Sequence, residues 1–121
     1  MELKEIQQIL KSLFLENVPP LQVRQDNEQG FEVAGTKKAM QGKQKVSGYY
    51  FCSIVPKPKD IRFYFFPIYT DADQFELSPE LKKMLKGKSC FHIKKLNDEL
   101  IEEIREMMSK AIKIYQEKDL V

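Results

Sequence analysis

The chain has no tryptophan, a single histidine, His92, and only two cysteines, Cys52 and Cys90. Two cysteines do not make the disulfide framework of a small secreted scaffold, so they read as reduced thiols of a cytoplasmic protein. A zinc site needs three or four ligands, and with one histidine and two distant cysteines no recognised ligand spacing exists. No stretch approaches the ~20 apolar residues of a membrane-spanning helix, so a membrane partner is not expected. The opening MELKEIQQIL carries Glu2 and Glu5 and lacks the apolar core of a signal peptide. An excess of charge of either sign is also missing: the formal net charge is +2. That balance argues for neither a nucleic-acid protein nor an acidic metal buffer, and a nucleic-acid partner is not expected. GKS (87–89) imitates the end of a phosphate-binding loop, but Lys82 stands where that loop needs a glycine. No repeat or low-complexity tract divides the chain.

What is present suits one folded domain over residues 1–121. The apolar fraction of 42% is enough for a core, and eight phenylalanines with five tyrosines fill it. Leu3, Ile6, Ile9, Leu10, Leu13 and Phe14 recur at helical spacing, and Pro19 with Pro20 ends that helix. LQVRQ (21–25) and FEVAG (31–35) read as strands around a turn at NEQG. GTKKAMQGKQ (35–44) is polar and weakly patterned, with a turn at Gly42. VSGYYFCSIV (46–55) and IRFYFFPIY (61–69) are β-rich, joined by a hairpin at PKPKD (56–60). Ser78 and Pro79 open a short helix that Gly87 is expected to close as a C-cap. SCFHIK (89–94) is a fifth strand. Asn97 caps a last helix that keeps Leu100, Ile104, Met107, Met108, Ala111, Ile112 and Tyr115 on one side. The order predicts an α+β fold: one antiparallel sheet of about five strands, with the N- and C-terminal helices packed on one face and a short helix before the last strand.

Four groups of residues are chemically suggestive. Cys90 and His92 share a strand face at roughly 6.5 Å, too far for a thiol–imidazole pair, which leaves them structural. Lys82, Lys83, Lys86, Lys88, Lys94 and Lys95 form a segment without an acid. Lys86, Lys88 and Lys94 are its candidates for binding an anion or an acidic partner, although lysines near a helix C-terminus also answer the dipole. Asp98, Glu102 and Glu106 step along the last helix at i, i+4 and i+8, a candidate set of oxygen ligands for Fe²⁺ or Mg²⁺. Acids in a first turn equally answer the helix dipole. Finally, alternation sets Tyr49, Phe51, Ser53 and Val55 against Tyr50, Cys52 and Ile54. With Phe63, Phe65, Tyr64 and Phe66 on the next strand, both sheet faces look partly apolar, which suggests a homodimer contact or a binding platform.

FYFFPIY (63–69), LSPELKKMLKGKSCFHIKK (77–95) and the closing amphipathic helix resemble the YdhG-like domain family, small bacterial proteins long grouped as a domain of unknown function. The resemblance implies a frataxin-like sandwich. One branch of the family is described as intracellular iron chaperones, so iron as cargo and an iron-accepting protein partner are implied too. In the frataxin manner, an acidic ridge would be sought at Glu2, Glu5, Glu16, Asp26 and Glu28. The absence of a catalytic triad and of a cofactor loop points away from an enzyme. The expectation is a small non-enzymatic binding protein of the cytoplasm, either an iron carrier or an interaction module using the aromatic sheet face or Lys82–Lys95.

Overall fold

A computed structural model describes residues 1–121. Helix α1 (Leu3–Leu15) leads into strands β1 (Gln22–Asn27) and β2 (Gly30–Ala34), a small hairpin of β3 (Ala39–Gln41) and β4 (Gln44–Val46), then β5 (Tyr50–Pro56) and β6 (Ile61–Phe65). One turn of helix α2 (Pro67–Thr70) and a 3-10 turn (Ala72–Gln74) follow. Helix α3 (Pro79–Met84), strands β7 (Leu85–Lys86) and β8 (Cys90–Ile93), and helix α4 (Asp98–Glu117) complete the chain. The main sheet is antiparallel throughout, in the order β1-β2-β5-β6-β8-β7. The fold is therefore α+β, with one more strand in the main sheet than the pattern indicated and a separate two-stranded ribbon. No helix is long and apolar enough to cross a membrane.

Both long helices cover the same face of the sheet. The Phe14 ring on α1 lies against Phe31 and Phe63, and the Tyr115 ring on α4 meets Phe51 edge-on at 5.0 Å. Phe51, Phe63, Phe65 and Phe91 are wholly buried, joined by Ile6, Leu10 and Ile104 from the helices. Phe51, Phe63 and Phe65 thus turn inward, while Tyr50 and Tyr64 lie on the open face. A bulge at Phe51 explains how: Val33 pairs with Cys52 but Ala34 with Tyr50, so β5 carries one extra residue there. The bulge turns Phe51 to the helix side together with Cys52 and Ile54 and sends Tyr50 to the other face, where its hydroxyl lies 2.5 Å from Ser53 Oγ. Strict alternation placed Phe51 with Ser53; the extra residue breaks that period. Beyond the helix side, the open face carries Glu32, Ser53, Tyr64, Cys90 and Lys86 in one cross-strand row and Val55, Arg62 and His92 in the next.

Local signals set most boundaries. Ser78 accepts a hydrogen bond from the Leu81 amide at the start of α3, and Asn97 does the same for Leu100 at the start of α4. Gly87 does not cap α3. That helix already ends at Met84, and Gly87, at φ +81°, makes the turn of the β7–β8 hairpin.

Candidate anion-binding cleft

The β7–β8 hairpin folds a lysine-rich stretch back on itself at one end of the open face. Cys90 and Lys86 are cross-strand partners, and His92 and Lys94 follow Cys90 at the two-residue period of β8. Helix α3 runs alongside, fixed by Leu81, which is fully buried, and by Glu103 of α4, whose carboxylate accepts hydrogen bonds from the Ser78 amide at 2.8 Å and hydroxyl at 2.6 Å. Between helix and hairpin lies a cleft of about 940 Å³, lined by Asp60, Pro79, Glu80, Lys83, Met84, Lys86, His92, Lys94 and Lys95.

Charge in the cleft is uneven. Asp60 is only 5% exposed and accepts a 2.7 Å hydrogen bond from Arg62 Nε, two residues along the chain. His92 Nδ1 lies 3.7 Å from the same carboxylate, beyond hydrogen-bond reach. Lys95 faces Glu80 at 3.9 Å. None of the molecule's ion pairs involves Lys83, Lys86 or Lys94. Three uncompensated ammonium groups thus share one concavity. Next to them, burial pushes the Cys90 thiol above its ordinary range, with the Tyr64 hydroxyl offsetting part of that. A thiol held protonated is a weak nucleophile and a weak ligand.

The sequence candidates separate in space. Lys86 and Lys94 meet in the cleft with Lys83, while Lys88 lies elsewhere, its ammonium 5.2 Å from the Tyr69 ring centre. Asp98, Glu102 and Glu106 are exposed along α4; Glu102 accepts from Arg105, and Glu106 borders a small hollow with Glu76, Glu103 and Lys110. Of the acids sought near the N-terminus, Glu16 pairs with Arg105, Asp26 with Lys11, and Glu2 with Glu5 forms a capping box. No group of three or more histidine, cysteine, aspartate or glutamate side chains is close enough together to hold a metal ion. Lys83, Asp60 and Arg62 were not singled out by sequence reasoning. Lys83 was visible in the basic run, but Asp60 looked like a turn residue, and only the β5–β6 turn brings it beneath the lysines.

Comparison with family models, with curated proteins and with solved structures gives no match.

Proposed function

We propose that the protein is a non-enzymatic binding module that holds an anion in the cleft between α3 and the β7–β8 hairpin. The observation that carries this reading is the convergence of Lys83, Lys86 and Lys94 on one cleft without a carboxylate partner for any of them. Like charges crowded together oppose folding, and a surface lysine ordinarily sits among mixed charges. A bound anion would relieve the repulsion. The helix dipole accounts for Lys82 and Lys83 in the last turn of α3, but not for Lys86 or Lys94, which lie on strand β7 and just beyond β8. Iron carriage, which the resemblance to YdhG-like proteins implies, would use Asp98, Glu102 and Glu106, or the acids Glu2, Glu5, Glu16, Asp26 and Glu28, as separate surface carboxylates, and no grouped donor set supports it.

Backbone amide NMR during titration with inorganic tripolyphosphate tests the reading. Shifts should concentrate at Lys83–Lys86 and His92–Lys95 and shrink as salt is raised, because exposed charges are screened within ~8 Å at physiological ionic strength. Unmoved cleft amides, together with line broadening at Asp98–Glu106 when ferrous iron is added anaerobically, would replace anion binding with iron carriage.

A further inference from the structure

We infer that the anion is a small polar molecule carrying two phosphate groups, of the class of sugar or polyol bisphosphates; this rests on the anion-binding reading above. Charge gives the first reason. Glu80 is opposed by Lys95 in the cleft and Asp60 by Arg62 just outside its lining, which leaves Lys83, Lys86 and Lys94 as the surplus. A phosphate monoester carries about −1.5 to −2 at pH 7, so two of them match three ammonium groups and one does not. Phosphate also concentrates charge on a compact group, which suits the point charge of a lysine.

Shape and lining give the second reason. A volume of about 940 Å³ lies within the ~300–1,000 Å³ range of small-molecule pockets. Among the lining residues only Met84 presents a hydrophobic side chain, and there is no phenylalanine, tyrosine or tryptophan. A nucleobase would find only the His92 imidazole to stack on, and an acyl chain only Met84 to bury against. The body between the phosphates is therefore hydroxylated, with His92, Glu80 and Asp60 as its polar neighbours in the cleft. A free bisphosphate and the headgroup of a phosphorylated inositol lipid share this chemistry.

Isothermal titration with fructose 1,6-bisphosphate, fructose 6-phosphate and a hexaglutamate peptide tests the class. Flotation with phosphatidylcholine vesicles, with and without phosphatidylinositol 4,5-bisphosphate, separates the sources. Two triple variants of equal charge accompany the wild type: Lys83→Gln/Lys86→Gln/Lys94→Gln in the cleft, and Lys38→Gln/Lys43→Gln/Lys45→Gln on the β3–β4 ribbon. All six lysines are exposed, and thermal melts check that both variants fold. The expected result is a bisphosphate bound about tenfold or more tighter than the monophosphate, weakened about tenfold by the cleft variant and by less than about twofold by the ribbon variant. Binding confined to the inositol-lipid vesicles, with the same variant pattern, assigns the headgroup as the source. Equal affinity for mono- and bisphosphate, or equal loss in the two variants, overturns the inference. Hexaglutamate bound in the cleft with neither bisphosphate bound overturns it while leaving anion binding in place. Failure of every probe removes both.

Discussion

Phe51 and Asp60 show how single residues set the two sides of the sheet. Phe51 is the extra residue of the β5 bulge, fully buried, with its ring against Phe65 and Tyr115. Replacing it with alanine empties a site that three elements share, so Phe51→Ala should cost about 3–5 kcal/mol in urea unfolding. A loss below ~1 kcal/mol would mean that the ring is not packed as described. Asp60 works on the other face. Its carboxylate holds Arg62 and partly neutralises the cleft. Asp60→Asn keeps an oxygen to accept from Arg62 but removes the charge. Stability should fall by about 1–2 kcal/mol, while a polyphosphate binds severalfold tighter, as titration calorimetry would report. Weaker binding would mean that the carboxylate orders the cleft more than it repels the ligand.

Elements are joined by a few polar clamps whose titration can be followed. Lys118, at the end of α4, donates to both oxygens of Asp71 at 2.9 and 2.8 Å, fixing the turn that follows α2. Burial alone would raise the Asp71 carboxyl, but the hydrogen bonds from Lys118 and Thr70 outweigh it and hold the group below its ordinary value of 3.8. The folded state then binds fewer protons than the unfolded chain, so the clamp stabilises above the unfolded value and is lost as pH falls through the folded one. Asp71→Asn should lower stability at neutral pH and flatten the decline below about pH 3.8, measured by thermal melts across pH. An unchanged acid slope would remove the clamp from the account. At this scale the sequence was readable where local chemistry decides. Ser78 and Asn97 announced their helices, and the apolar stripes of α1 and α4 announced their buried faces. The bulge at Phe51 was not readable, because an extra residue in one strand leaves no mark on a one-dimensional alternation. Gly87 was ambiguous for a related reason: a positive φ serves a helix end and a hairpin turn equally well, and only the pairing of Lys86 with Cys90 chooses between them.

On the scale of the whole molecule, one face of the sheet is spent on the core, and the other carries polar pairs, Tyr50, Tyr64 and Val55, and a cationic end. The basic run was plain in the sequence, yet its function-bearing subset was not. Lys82, Lys83, Lys86, Lys88, Lys94 and Lys95 are equivalent letters until the hairpin divides them, sending Lys88 toward Tyr69 and bringing Lys86 and Lys94 together with Lys83. The central claim is that folding selects these lysines and that an anion occupies the space between them. Lysine acetylation footprinting by mass spectrometry, with and without tripolyphosphate, measures this side chain by side chain. Protection at Lys83, Lys86 and Lys94, with Lys82 and Lys88 reacting as before, is the predicted result. Uniform protection along the run, or protection centred on Lys38, Lys43 and Lys45 instead, would contradict it.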